Sequence, residues 1–169
     1  MSFFSAEVLC VKLAVKNGAL FRPGQFIHLI HPSSVLRSYS IANLPHRDRF
    51  IELHIKLLNH GFMSRWLHKK AIVGTTLKIQ GPLGHCFYHN PTQQAFPIVL
   101  AGTGTGLAPL VGIALDALAQ QHPGPIYLLH GGVRAEDLYL DQSLQTLSSR
   151  YTHFFIRPAH SNPVTSTPI

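Results

Sequence analysis

The apolar positions of the chain follow two different periods, with the change near Pro91. From Ala6 to about Tyr88 they alternate with polar residues or gather in short runs bounded by turn residues. "EVLCVKLAV" alternates patchily, "GQFIHLIH" follows Pro23-Gly24, "LRSYSIAN" follows Pro32-Ser33-Ser34, and "RFIELHIKLL" alternates most cleanly. Each predicts a strand, as does "TLKIQ" where it runs into "GPLGHCFY". In this half only "MSRWLHKK" has helical spacing, preceded by Gly61 and carrying two lysines where the negative end of a helix dipole would lie. Several antiparallel strands with a single helix predict a small barrel.

After "HNPTQQAFP" the spacing changes. "PIVLAG" is a continuous apolar run, which predicts a parallel strand covered on both faces. "GLAPLVGIALDALAQQ" has helical spacing, "PIYLLHGG" reads as a second buried strand, "AEDLYLDQSLQTLSSR" as one further helix, and "THFFIRP" as a third strand. Strand and helix alternate, so this half is expected to be α/β with right-handed crossovers. The expected organisation is an antiparallel β-barrel over residues 1–91, a Rossmann-like α/β unit with about three parallel strands over 92–158, and a loose tail over 159–169.

Composition narrows the partners. The chain has 169 residues, 46% of them apolar, enough for a real core. A net charge of +7 attracts anions. The basic residues are scattered singly apart from Lys69 and Lys70, with no aromatic-interleaved basic stripe, so nucleic acid is not the expected partner. The longest apolar stretch, residues 98–119, contains Asp116, Pro109 and several glycines, which fits a strand, turn and helix better than a membrane span. The first ten residues lack the pattern of a signal peptide. Cys10 and Cys86 make no Cys-x-x-Cys pair and read as buried thiols of a cytoplasmic protein. "HCFYH" offers His85, Cys86 and His89 but no fourth ligand at a familiar spacing, and His28 and His31 fall on opposite faces of a strand, so no metal site is expected. No Gly-x-Ser-x-Gly elbow occurs. Trp66, Phe87 and Tyr139 read as packing residues.

Two motifs carry candidate chemistry. In "VLAGTGTGLAPL", Gly102, Gly104 and Gly106 fall between a buried strand and a helix, where missing side chains let a phosphate approach the backbone amides. The spacing is not the strict Gly-x-Gly-x-x-Gly fingerprint, and a tight turn needed for packing is the alternative. In "RSYS", strand alternation places Arg37 and Tyr39 on one face and Ser38 and Ser40 on the other. A planar cation for phosphate, a ring for stacking and a hydroxyl for a ring nitrogen together suit a flavin nucleotide. The alternative is a partly exposed edge strand with a surface salt bridge.

The order of the pieces adds what no single piece carries. A barrel with "RSYS", then "HIKLLNHGFMSRWL", "GPLG", "AGTGTGLAPL" and "HGGVRAEDLYL" resembles the ferredoxin–NADP(+) reductase superfamily from about Gly24 to about Pro158. The resemblance implies a flavin barrel followed by a nicotinamide-nucleotide domain. In its Arg-x-Tyr-Ser stretch, residues 37–40, Arg37 would meet the flavin phosphate and Tyr39 would lie against the ring or its ribityl chain, while Ser40 would bond near the reactive nitrogen. Ser38 belongs to the same cofactor stretch, and Tyr39 and Ser40 would be the catalytic pair. His54, Ile55 and Lys56 would line the cofactor, and Gly61, Phe62, Met63 and Ser64 would form the phosphate turn, with the Ser64 hydroxyl taking part. Pro82 and Gly84 would shape the turn leaving the barrel. Gly102, Thr103, Gly104, Thr105, Gly106 and Pro109 would form the nicotinamide-nucleotide loop, with Gly131, Gly132 and Arg134 beside it.

The implied cofactor is FAD, with FMN as the alternative, and NADH or NADPH as co-substrate. The implied activity is a flavin-dependent NAD(P)H oxidoreductase serving a one-electron acceptor such as an iron–sulfur protein. The alternative is a flavin- or nucleotide-binding module without turnover of its own. The basic surface would suit an acidic, ferredoxin-like carrier. Against the family pattern both ends look cut, which would leave one edge of "PIVLAG" open to self-association or to a partner chain.

Overall fold

The computed structural model describes residues 1–15, 20–45 and 49–161. The first half holds β1 (Ser2–Phe3), β2 (Val8–Ala14), β3 (Phe26–Ile30), β4 (Leu36–Ser40), β5 (Phe50–Lys56), α1 (Phe62–Lys69) and β6 (Lys78–Leu83). The second half holds β7 (Ile98–Thr103), α2 (Leu107–Ala119), β8 (Ile126–Gly132), α3 (Asp141–Arg150) and β9 (Phe154–His160). Single 3₁₀ turns precede α2 and α3, at Gly104–Gly106 and Ala135–Asp137.

The first half is two antiparallel three-stranded sheets, β1-β2-β5 and β4-β3-β6, stitched by the bridge between Ile41 and Leu53. Alternation sorts the side chains. Ile51, Leu53 and Ile55 of β5 point into the barrel with Leu9, Val11, Ile27, Leu29 and Ile41, while Glu52, His54 and Lys56 face the other way. Fully burying one such aliphatic side chain contributes about 1.5–3 kcal/mol, so this inner layer is the main source of the barrel's stability. The Pro23-Gly24 turn admits only glycine at its second position. Gly24 has φ of +94°, and a Cβ there would run into the Cys86 carbonyl and Ile113.

The second half is a parallel sheet in the order β7-β8-β9, with both helices on one face. Leu100, Ile126, Leu128, Phe154 and Ile156 meet Leu107, Val111, Ala114 and Leu144 there. α2 is apolar almost all round because it packs on two sides: its Val111 and Ala114 face the sheet, and Gly112 lies against Pro23 and the Ile41 carbonyl of the barrel. The linker is pinned to the end of this helix by His122. Its Nε2 donates to the Phe96 carbonyl at 2.8 Å, and its Nδ1 receives Tyr88 OH at 3.1 Å and Asn90 Nδ2 at 3.2 Å.

Several expectations are corrected. β7 is covered on one face only, and Val99 on the other face is 64% exposed. The helix expected from Ala135 onward is broken: after the 3₁₀ turn the chain passes Leu140 at φ of +67°, and α3 starts at Asp141. The break turns Tyr139 inward, where it is 3% exposed. β9 extends to His160, two residues into the stretch expected as tail, and 162–169 lie outside the described residues. Pro82 is inside β6, so the chain leaves the barrel at Gly84. Cys86 is exposed rather than buried, and Phe87 is half-buried beneath the Arg22 guanidinium at 3.6 Å, leaving Tyr88 as the buried anchor. The short strand β1, paired with β2, had no sequence signal.

Candidate functional site

Strand period and a helix start converge on one cleft. Arg37, Ser38 and Tyr39 of β4, His54 and Lys56 of β5, Leu58, the turn and first residues of α1 (Gly61, Phe62, Met63 and Ser64), and Thr105 of the glycine loop line a space of about 270 Å³. The strands come from the barrel and the loop from the α/β half. The cleft therefore lies where the two halves meet.

The electrostatics favour an anion at one end. Among the described residues Arg37 has no carboxylate partner, and its Nη1 donates back to the Leu36 carbonyl at 2.7 Å. The first amides of α1 have no side-chain cap, so the helix end adds partial positive charge. Tyr39 is half-buried, and burial pushes its phenol up to about 12, with Arg37 opposing the shift, so the hydroxyl stays protonated near neutral pH. A neutral ring beside a free guanidinium is suited to stacking and phosphate binding rather than to proton abstraction.

Behind the cleft runs a buried polar chain that sequence reasoning missed. His54 is 5% exposed; its Nε2 donates to Glu52 Oε1 at 3.2 Å, and its Nδ1 receives Tyr139 OH at 3.1 Å. Phe4 and His130 pack on the Tyr139 ring. The chain ties the outward face of β5 to the turn before α3 across the junction of the halves. Two signals were legible in retrospect: the alternate polar residues of "ELHIK" and the Leu-Tyr-Leu run that interrupts the expected helix.

On the other side of Lys56 is a second cleft of about 240 Å³, lined by Gly104, Arg134, Glu136, Asp137 and residues 5–8. Lys56 lines both clefts, and adjacent residues of the glycine loop, Gly104 and Thr105, contribute one to each. Within that loop, a Cβ on Gly102 would meet Leu110 Cδ1 at 2.7 Å and the Gly106 carbonyl at 3.2 Å, whereas a Cβ on Gly106 would meet nothing within 4 Å. Gly102 is demanded by packing; Gly106 borders open space at the start of α2.

Other sequence-predicted residues are placed differently. Ile55 is 1% exposed and its side chain belongs to the barrel core, so only its backbone is left to face outward. Ser40 ends β4 half-buried opposite Phe26 and does not line the cleft. The Ser64 hydroxyl, expected at the phosphate, donates to the Gly61 carbonyl and receives the Leu58 amide, both at 3.2 Å, so it holds the turn. Ser38 Oγ meets His28 Nδ1 at 2.9 Å. Thr103 lies against Gly131, and Gly132 ends β8 beside Asp137. Arg134 pairs with Glu136 at 2.8 Å and Asp137 at 3.5 Å. Pro109 sits in the first turn of α2, where its missing N–H costs no helical bond. Among the described residues no group of three or more His, Cys, Asp or Glu is placed to hold a metal, and no helix is long and apolar enough to cross a membrane.

Comparison with known proteins matches both halves. The oxidoreductase FAD-binding domain family matches residues 3–88 and the oxidoreductase NAD-binding domain family residues 100–167. The reductase subunit of an aromatic O-demethylase from Amycolatopsis sp. is 41% identical over 133 residues, 76% of this chain and 40% of that protein. The anthranilate 1,2-dioxygenase electron transfer component of Acinetobacter baylyi is 37% identical over 140 residues, 82% of this chain and 40% of that protein. An Amycolatopsis cytochrome P450 reductase has the same fold at a TM-score of 0.86 and 32% identity, covering 96% of this chain and 50% of its own. A ferredoxin reductase of a carbazole 1,9a-dioxygenase superposes at a TM-score of 0.82 with 26% identity, covering 99% of this chain and 50% of its own. The chain thus spans about 40% of the length of the curated relatives it matches. A barrel and a parallel α/β sheet, in this order and with both families matched across them, mean that the chain belongs to the ferredoxin–NADP(+) reductase superfamily.

Proposed function

We propose that this chain is the flavin- and nicotinamide-binding part of an NAD(P)H oxidoreductase, with a flavin unit over 1–91 and a nucleotide unit over 92–158. The single observation that carries the reading is the pair of clefts sharing Lys56, one lined by the Arg37–Tyr39 strand and the other by Gly104 and Arg134. FAD suits the first cleft, because an unpaired guanidinium and an uncapped helix start offer a phosphate site beside a half-buried aromatic ring. NADH or NADPH suits the second, with its phosphates toward Gly104, which lines that cleft and borders open space.

A flavin accepts the electron pair of a hydride and can release electrons singly, the conversion that joins a nicotinamide to an iron–sulfur protein. The protein's part is orientation. Arg37 and the α1 amides fix the phosphate, Tyr39 sets the plane of the ring, and the 104–106 turn brings the nicotinamide to the same junction. Ser40 bonds near the reactive nitrogen only if the end of β4 turns it toward the ring. Relatives named as reductase components of oxygenase systems support a one-electron carrier as the acceptor. The net charge of +7 suits an acidic carrier, and binding to one is expected to weaken as salt rises. Two free cysteines fit a reducing, cytoplasmic setting. The test is anaerobic addition of NADH or NADPH to protein loaded with FAD. Bleaching of the yellow absorbance supports the enzyme, and retained colour supports a binding module without turnover. Refusal of both FAD and FMN overturns the reading.

A further inference from the structure

Between α1 and β6 the chain turns at a tip that neither the barrel core nor the two clefts use. Ala71 and Leu77 pack against the core, and the residues between them, 72–76, are all exposed. Two of these are aliphatic: Ile72 is 73% exposed and Val73 82%. Single exposed apolar side chains are ordinary on a protein surface, but two adjacent ones at the summit of a turn form a patch presented outward.

The tip is held in one shape. The Thr75 amide donates to the Ile72 carbonyl at 3.0 Å, and the Ile72 amide donates to Thr75 Oγ1 at 3.0 Å. Gly74 has φ of +94°, the conformation that the third residue of a type II turn requires, which leaves Val73 at the corner. A Cβ on Gly74 would meet nothing within 4 Å, so the described chain leaves that side of the tip open. A pre-shaped tip loses little freedom when it meets a partner.

Cations surround it. Lys69 and Lys70 stand at the end of α1 just before the tip, Lys78 opens β6 just after it, and Arg65 lies one turn back along the helix. The register of the sheet sets Lys78 opposite Ile30 and Ile30 opposite Leu36, so the exposed Leu36 side chain lies at the same end of the barrel. Among the described residues none of these four cations has a carboxylate within ion-pair distance. The sequence itself has no Asp or Glu between Glu52 and Asp116.

An apolar tip among unpaired cations fits a partner that is anionic and also takes up aliphatic side chains. Because the tip projects, a protein partner would need a pocket cut to its shape. A bilayer interface needs none: it places negative headgroups over hydrocarbon and yields to any projection. Lysine stems can lie along the apolar surface while their ammonium groups stay among the headgroups.

We propose that the Ile72–Val73 tip, with Lys69, Lys70 and Lys78, is a docking surface for an anionic lipid bilayer and holds the chain on the membrane surface without spanning it. The surface shares no residue with the flavin and nucleotide clefts, so its role is independent of them.

The test is flotation of the full chain with vesicles of phosphatidylcholine, or of phosphatidylcholine in part replaced by phosphatidylserine; in flotation, self-associated protein stays at the bottom of the gradient. The chain is expected to rise with the phosphatidylserine vesicles only, and less so as salt is raised. A cation near such a surface is worth roughly fivefold in binding, so Lys69→Gln with Lys70→Gln should lower the affinity roughly tenfold or more. Ile72→Ser with Val73→Ser, which alters exposed side chains alone, should lower vesicle binding by a similar factor and leave the melting temperature and the binding of soluble polyglutamate unchanged. Failure to rise with phosphatidylserine vesicles overturns the proposal, as does equal flotation with the neutral ones. Vesicle binding that survives Ile72→Ser with Val73→Ser also overturns it and leaves the cations to an acidic protein, which polyglutamate mimics.

Discussion

Arg37 is exposed on an edge strand, yet the cleft depends on it, because the only bond it makes among the described residues is to its own neighbour's carbonyl. Removing it should therefore leave the fold intact and act on the ligand. Arg37→Ala is expected to weaken flavin binding roughly ten- to a hundredfold, the equivalent of about 1.5–3 kcal/mol for a lost charge-assisted bond. Arg37→Lys should restore only part of this, since an ammonium lacks the planar fork. Equilibrium titration with FAD measures both, and unchanged affinity in Arg37→Ala would remove the phosphate from this end of the cleft. The glycine loop gives the converse pair. Gly106→Ala is expected to keep the melting temperature and weaken nucleotide binding, because its new methyl enters open space. Gly102→Ala is expected to cost about 1–3 kcal/mol of stability, because its methyl meets Leu110 and the Gly106 backbone. At this scale the period of two in "RSYS" was a partial guide, because three consecutive residues, Arg37, Ser38 and Tyr39, all line the cleft and only Ser40 stays out of it. The role of Ser64 was not legible, because a hydroxyl beside a helix start bonds equally well to a ligand or to its own turn, and only the carbonyl of Gly61 decided between them.

The element that joins the halves is β5, and its two faces divide the labour. One face fills the barrel, while the other carries Glu52 and His54 to Tyr139 across the junction. The hydrogen bond from His54 is the main cause that holds the Glu52 carboxyl below its ordinary 4.5. On β8, burial holds His130 below its ordinary 6.5, with the Gly104 carbonyl and Asp141 opposing the shift. Both shifts have the same sign for stability. Below pH 6.5 an unfolded His130 takes up a proton that the folded one resists, and below pH 4.5 the same holds for Glu52. In each window the unfolded state binds more protons, so stability falls as pH falls. Urea unfolding from about pH 8 down to about pH 3 should give a declining midpoint in two steps, one below pH 6.5 and one below pH 4.5, and His130→Asn should flatten the upper one. A midpoint that stays level through the upper window would show that His130 is not buried as described. The strands of the barrel were legible because turn residues bound each of them. The break before α3 was not, because helical spacing continues through Tyr139 and Leu140, and what overrides it is the buried seat of Tyr139 against His54 and His130 in the other elements.

Across the whole molecule the two faces of the parallel sheet are unequal. β7, β8 and β9 run in that order with α2 and α3 on one side, so the described chain leaves the opposite side and the outer edge of β7 without a neighbour. Val99 is 64% exposed and Leu129 39%, and Tyr127 stacks on Phe155 at 5.2 Å between them. The continuous apolar run of "PIVLAG" implied two covered faces, because hydropathy reports how much surface a strand needs to bury and not whether the described chain supplies the cover. An apolar face beside an unpaired edge favours association. We expect the isolated chain to self-associate in a concentration-dependent way, with the effect growing in high salt as the repulsion of a +7 chain is screened. Val99→Lys and Leu129→Lys, which put charges on that face without touching the helices' side, should shift light scattering toward the monomer and leave flavin binding unchanged. A monodisperse monomer at high protein concentration and high salt would mean that the exposed residues are tolerated singly, as many surface apolar groups are, and that the sheet needs no partner.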